Sequence, residues 1–279
     1  MALFITSLNS GSNGNCYYIG NNTEAVLIDA GISCRETEKR MRLLGLSMKT
    51  VKAIFVSHEH IDHIKGVPLL AEKYKLPVYI TTTTLMHSGI HLSKDLSKTF
   101  KAYEQVQIGN LLITGFPKFH DAEDPHSFII NYDGITVGVF TDIGAECSHV
   151  TKNFSQCHAA FLETNYDEVL LENGRYPIYL KNRIRGGKGH LSNTQALEIF
   201  VKHKPSFMTH LFLSHLSRDN NAPEIAKQLF DKHAGKTEII VASRYEQTAV
   251  YTIQKQGNAL VKVKKRQTAF KLMQLSLFE

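Results

Sequence analysis

Apolar and polar positions run in short blocks along this chain, and their period switches repeatedly between two and about 3.6. Ala2–Ser7, Cys16–Ile19 and Ala25–Asp29 read as strands, the first two separated by the polar turn Asn9–Asn15. Cys34–Leu44 reads as a helix with Ser33 as its N-cap. Ala53–Ser57 is an apolar run of buried-strand type, Val67–Tyr74 a helix with Pro68 in its first turn, and Pro77–Thr81 a strand. Strand-like segments continue through Phe100–Phe116 with a turn at Gly109-Asn110. Ser127–Tyr132 and Ile135–Phe140 form a predicted hairpin across Asp133-Gly134. Ala159–Glu163 is a strand, Tyr176–Arg185 and Asn193–His203 are helices, and Phe207–Ser214 is a strand. A helix at Ala222–His233 and strands at Glu238–Ala242 and Ala249–Ile253 complete the pattern. Short strands interleaved with helices predict a layered α/β structure, with one domain over residues 1–254 and a basic tail over 255–279.

Composition narrows the class. The 279 residues are 43% hydrophobic and 21% charged, ordinary values for a globular chain. The N-terminus lacks the basic region of a signal peptide, and no apolar run approaches the roughly 18 residues of a membrane span. The expectation is a cytoplasmic protein without a membrane partner. Cys16, Cys34, Cys147 and Cys157 are widely spaced and form no CxxC pair, so they read as reduced thiols. The net charge of +6 suits a polyanionic partner. Between Glu246 and Glu279 there is no acidic residue, whereas Lys255, Lys262, Lys264, Lys265, Arg266 and Lys271 fall there.

Histidine changes the picture, with fourteen in the chain and several clustered. Ser57-His58-Glu59-His60-Ile61-Asp62-His63 directly follows the apolar run. In an extended segment residues two apart face the same way, so His58 and His60 can bind one ion together. Asp62 and His63, where the chain turns toward the next helix, can bind another. Imidazole and carboxylate donors suit Zn, Mn or Fe. Three histidines and an aspartate packed into six residues at a strand end weigh against a merely solvated loop.

His-x-His-x-Asp-His after a buried strand resembles the signature of the metallo-β-lactamase superfamily. His120 in Phe119-His120-Asp121-Ala122, Asp142 in Phe140-Thr141-Asp142-Ile143-Gly144 and His215 in Ser214-His215-Leu216-Ser217 match its later elements in order. The resemblance implies two divalent transition-metal ions, one held by His58, His60 and His120 and the other by Asp62, His63 and His215, with Asp142 bridging. It also implies an αββα four-layer sandwich of two mixed sheets flanked by helices. His126 lies close enough to His120 to compete as a ligand, and the motif position favours His120. Paired ions clamp the attacked group and lower a water's pKa toward about 7. Gly189-His190-Leu191-Ser192-Asn193 resembles an element of ribonuclease Z-like phosphodiesterases in which the histidine donates a proton. Asp62, Asp142 and His190 are therefore the catalytic candidates.

Further stretches narrow the resemblance to the WalJ/YycJ-type branch. They are Gly11–Cys16, Leu162–Asp167, Gly174–Pro177, Leu180-Lys181, Gly189–Asn193 and Ser214–Asn221. That branch implies a 5′-to-3′ exonuclease on DNA, with a role in repair or replication. Tyr166, where relatives carry histidine, and His126-Ser127 depart from the pattern and bear on substrate contacts. Lys181, Arg183, Arg185 and Lys188 beside His190 are candidates to hold phosphates, the dominant affinity source for nucleic acid. The terminal Gln274-Leu275-Ser276-Leu277-Phe278 resembles the peptide by which bacterial replication proteins bind the DNA sliding clamp. The alternatives are an RNA-processing nuclease of ribonuclease Z-like type, a small-molecule ester or thioester hydrolase such as a thioesterase or lactonase, and a non-catalytic adaptor.

Overall fold

The computed structural model describes residues 1–255 and arranges them as two facing seven-stranded sheets. In the first half β1 (Ala2–Asn9), β2 (Cys16–Gly20) and β3 (Ala25–Ile28) form an antiparallel meander. Next come α1 (Cys34–Leu43), β4 (Val51–Phe55), α2 (Ile61–Ile64), α3 (Val67–Tyr74), β5 (Val78–Tyr79), α4 (Thr82–Ser88) and β6 (Ser97–Lys98). The second sheet starts with β7 (Gln105–Ile108), β8 (Leu111–Pro117), β9 (His126–Tyr132) and β10 (Ile135–Phe140), again antiparallel. Then follow α5 (Ser148–Phe154), β11 (Ala159–Glu163), α6 (Glu168–Asn173), α7 (Ile178–Arg185), α8 (Asn193–His203), β12 (His210–Ser214), α9 (Pro223–Asp231), β13 (Glu238–Val241) and β14 (Tyr251–Gln254). Strand order is β14-β1-β2-β3-β4-β5-β6 in one sheet and β13-β12-β11-β10-β9-β8-β7 in the other.

Each sheet is antiparallel at one end and parallel at the other. The parallel pairs are β3-β4, β4-β5 and β5-β6 in the first sheet, and β10-β11, β11-β12 and β12-β13 in the second. Parallel strands need helical crossovers, which cover the outer faces. Leu3, Ile5, Tyr17, Phe55, Phe128, Phe161 and Phe212 fill the space between the sheets. Phe140, Phe154, Phe200 and Phe230 lie between the second sheet and α5, α8 and α9, while Ile54, Met41, Val67 and Leu70 seal α1 and α3 onto the first. Burying each such side chain contributes about 1.5–3 kcal/mol. Three apolar interfaces separate four layers, the αββα sandwich expected.

Boundaries are tight where local chemistry sets them. Ser33 caps α1 by accepting from the Glu36 N–H, and α8 opens on a capping box between Ser192 and Gln195. The expected strand Phe207–Ser214 begins only at His210, because Ser206-Phe207 turn into it. Residues 100–104 precede β7 without joining a ladder, and the helix expected from Tyr176 starts at Ile178 after Pro177. All four cysteines are free thiols. No helix among the described residues is long and apolar enough to cross a membrane. The basic tail and Gln274–Phe278 lie outside the described residues.

Candidate metal centre

The loops that leave the C-terminal ends of β3, β4, β10, β11 and β12 converge at one edge of the sandwich. In open α/β sheets this is where ligands bind. β4 delivers His58 and His60, and α2 begins immediately after with Asp62 and His63. β10 ends at Phe140 and delivers Asp142, β11 ends on Glu163, and β12 is followed by His215. Asp29, Asp142 and His215 have φ of 59°, 56° and 58°. Left-handed backbone at non-glycine residues is uncommon, and such strain collects at functional sites. Gly31 lets the chain close up beneath the turn, since a Cβ there would lie 1.6 Å from the Asp62 carbonyl oxygen. Asn15 N–H donates to that same carbonyl at 2.7 Å.

Three ring nitrogens face one another: His58 Nε2 and His60 Nδ1 are 3.1 Å apart, and His120 Nε2 is 3.4 Å from His60 Nδ1. Next to them Asp62, His63 and His215 form a second group, with Asp62 Oδ2 3.6 Å from His63 Nε2 and 3.7 Å from His215 Nε2. Asp142 lies between the two. Its Oδ2 is 3.2 Å from His63 Nε2, and its Oδ1 is 3.7 Å from His120 Nε2 and 3.4 Å from His215 Nδ1.

The far side of four of these rings, those of His58, His63, His120 and His215, explains why their lone pairs point inward. His63 Nδ1 donates to Asp29 Oδ2 at 2.7 Å. Ser57 Oγ donates to the same carboxylate at 2.8 Å and so accepts from His58 Nδ1 at 2.9 Å. His120 Nδ1 donates to the Gly189 carbonyl at 3.1 Å, and His215 Nδ1 to Glu163 Oε1 at 2.9 Å. Fixing the proton on the outer nitrogen leaves Nε2 as a donor to metal.

This donor set fits divalent cations. Asp142 Oδ2 and His215 Nε2 are buried and have no hydrogen-bond partner among the described residues. His63 Nε2 and Asp142 Oδ2 face each other at 3.2 Å, a pairing satisfied by positive charge, either a second ring proton or a cation held between them. The field agrees. Burial lowers the His215 pKa, yet the Asp142 charge, the nearby Asp62 carboxylate and the hydrogen bond to Glu163 outweigh it and push it up to about 10. Combinations of these residues, such as His58, His60 and His120, or Asp62, His63 and His215, bring ligand atoms within 4.8 Å of one another.

A scan of family profiles matches residues 10–152 to the metallo-β-lactamase superfamily. The chain belongs to the metallo-β-lactamase superfamily. It is 33% identical over 230 residues to exodeoxyribonuclease YycJ of Bacillus anthracis, covering 81% of this chain and 87% of that protein. Exodeoxyribonuclease WalJ of Streptococcus pneumoniae is 30% identical over 224 residues, covering 78% and 83%. Among solved structures, the metallo-β-lactamase fold protein YhfI of Bacillus subtilis aligns with a TM-score of 0.68 and 17% identity, over 90% of this chain and all of the other. Membership of this superfamily makes the chain a metal-dependent hydrolase, and the fold implies divalent ions.

Within that superfamily frame, the seven side chains expected to hold metal do come together, and His190 joins them. His126 does not. It turns away, stacks edge-on against Phe100 and bonds through Nδ1 to the Asp124 carbonyl, so it lies outside every ligand grouping. The candidate phosphate contacts divide. Arg183 lines the cleft and pairs with Asp121 at 2.5 Å. Arg185 pairs with Glu172 at 2.9 Å, and Lys188 is exposed. Lys181 corrects the expectation: it is buried, its ammonium donates to the Glu172 carbonyl and ties α7 to α6, and it is not among the residues that line the cleft. Tyr166 is buried in a bridge to Ser192.

Glu163 escaped the sequence because it ends an apolar strand like any other strand-end residue. Fully buried, it accepts from His190 Nδ1 at 2.8 Å, from His215 Nδ1, and from the Ile143 and Leu191 N–H groups. Burial alone would raise its pKa, but the His190 charge and the hydrogen bonds from His190 and His215 hold it down to about 2. One carboxylate thus aligns a metal-facing ring and a cleft-facing ring. Asp29 and Ser57 are the other residues missed. The cleft above the centre is about 300 Å³, with His60, Asp142, His190 and His215 among its lining residues.

Proposed function

We propose that this chain is a two-metal phosphodiesterase that removes nucleotides from DNA ends in the 5′-to-3′ direction. The observation that carries the proposal is a cation-demanding cluster and the Glu163–His190 pair opening onto the same cleft. The printed names of the YycJ and WalJ relatives support the choice of DNA.

His58, His60 and His120 would hold one ion and Asp62, His63 and His215 the other, with Asp142 between them; Zn, Mn or Fe suits these donors. When bound, such ions supply Lewis acidity toward a phosphoryl oxygen and a water acidic enough to attack near neutral pH. The chain's own groups do the rest. Glu163 holds the Nδ1 proton of His190, which leaves His190 Nε2 as the nitrogen open to the cleft. From there it delivers a proton to the departing sugar oxygen as the phosphodiester breaks. Asp29 and Ser57 keep His63 and His58 in one tautomer and orientation. Asn15 keeps the Asp62-His63 turn in place through its backbone bond. Arg183, at the cleft wall, is the cation of the original four best positioned to meet a phosphate.

The hydrolase domain spans residues 1–254, and the basic tail 255–279 carries a clamp-binding peptide at Gln274–Phe278. Tethering would raise the enzyme's effective concentration at replicating DNA in the cytoplasm.

Purified protein incubated with end-labelled duplex DNA, single-stranded DNA and RNA, with Mn or Zn added, is expected to release nucleotides from DNA and to stop on chelation. Degradation of RNA alone would overturn the choice of DNA. Deleting Gln274–Glu279 is expected to abolish capture by the sliding clamp while free DNA ends are degraded at the same rate.

A further inference from the structure

Arg244 follows β13 and has no part in the chemistry described so far. Its backbone is keyed to the metal centre through short steps. Ser10 N–H donates to the Ser243 carbonyl at 3.1 Å, and the Ser10 hydroxyl accepts from His215 N–H at 2.7 Å. Asn13 Nδ2 donates to the Arg244 carbonyl at 2.8 Å. A Cβ on Gly11 would sit 3.2 Å from Arg244 Cβ and 3.5 Å from the Leu216 carbonyl, so the turn at 10–15 and the loop at 215–219 close around this arginine. Both supply cleft-lining hydroxyls, Ser12 and Ser217.

The guanidinium is left unsatisfied. Among the described residues Arg244 Nη1 is buried with no hydrogen-bond partner, and no carboxylate lies within ion-pair distance of the group. The exposed Tyr245 ring lies beside it, with the guanidinium carbon 6.0 Å from the ring centroid. A planar donor of this kind is made for phosphate oxygens, and leaving a buried N–H unmet is costly. Its charge reaches the cleft: Arg244 and Arg218 both act on the hydroxyl of Tyr176, a cleft-lining residue that donates to Asp219 at 2.9 Å.

We propose that Arg244, with Ser12 and Ser217 on the cleft wall, forms a subsite for a second phosphate of the substrate strand, next to the one being cleaved. The inference rests on the nucleic-acid phosphodiesterase reading. The second phosphate is either the terminal 5′-phosphate or an internal one, and both present the same anion to the guanidinium.

The test is equilibrium binding of a fluorescent single-stranded oligonucleotide in the presence of a chelator, followed by anisotropy, for wild type, Arg244→Gln and Arg244→Lys. Arg244→Gln is expected to bind about tenfold more weakly, with the slope of log Kd against log salt reduced by about 1. Arg244→Lys is expected to recover part of the loss. If the terminal phosphate is the occupant, a 5′-hydroxyl strand binds wild type as weakly as the variant binds either strand. If an internal phosphate is the occupant, both strands respond equally to the substitution. Hydrolysis of bis(p-nitrophenyl) phosphate, which has no second phosphate, is expected to stay within about twofold of wild type. Equal strand binding by wild type and Arg244→Gln, no strand binding by wild type, or parallel loss of the small-ester activity would each overturn the subsite. A wild type that binds the strand and cleaves the small ester but not DNA would instead sink the exonuclease reading and leave the subsite standing.

Discussion

Asp142→Asn is expected to lose about 10³-fold or more in hydrolysis together with bound metal. Among the described residues, Asp142 is the side chain whose two oxygens reach both histidine groups, approaching His63 on one side and His120 and His215 on the other. Burial disfavours its negative charge, yet the charges of His215 and His63 outweigh burial and hold its carboxyl well below the usual carboxylate range. It is therefore an anion with positive demand on both sides. Asparagine keeps the shape and removes the charge, so the backbone at φ 56° stays tolerable while cation affinity falls. Metal content by mass spectrometry and kcat on any phosphodiester check this together. His126→Gln, a similar change near the cluster but outside it, is expected to retain its metal. Full activity and metal in Asp142→Asn would remove the bridging role.

His190→Ala should separate leaving groups. A general acid contributes about 10²–10⁴-fold when the departing oxygen needs a proton. The loss on DNA, whose leaving group is a sugar alkoxide, is expected in that range. On bis(p-nitrophenyl) phosphate, whose leaving group departs without help, the loss is expected to be under about tenfold. Glu163→Gln acts through His190 and also disturbs His215, so it is expected to cost about 10–100-fold on DNA and to lower metal affinity as well. Equal losses of His190→Ala on both substrates would show a role in binding or positioning rather than proton delivery.

The local part of the centre was legible in the sequence because strand period and spacing decide it. His58 and His60 are two apart at the end of β4 and do converge, and Asp62 and His63 follow in the first turn of α2. Asp142 and His215 became visible through resemblance only, since what unites them is that β10, β11 and β12 run parallel and end at the same edge. Spacing along the chain carries no trace of that. Glu163 was hidden for a related reason: its partner His190 lies 27 residues further on, across α6 and α7. Lys181 misled because a basic helix next to a catalytic histidine looks like a phosphate grip, whereas its own face of α7 packs inward. A layered α/β structure was readable from the alternating runs, and the four-layer sandwich from the resemblance. The helices α4, α5 and α6 were not, each being too short, at seven, seven and six residues, to show a helical period.

Zinc-edge anomalous diffraction from crystals of the metal-loaded protein addresses the two-ion centre directly. The arrangement of side chains predicts two peaks about 3.5–4 Å apart, one among His58, His60 and His120 and one among Asp62, His63 and His215, with Asp142 touching both. A single peak, or density away from these seven side chains, would contradict it.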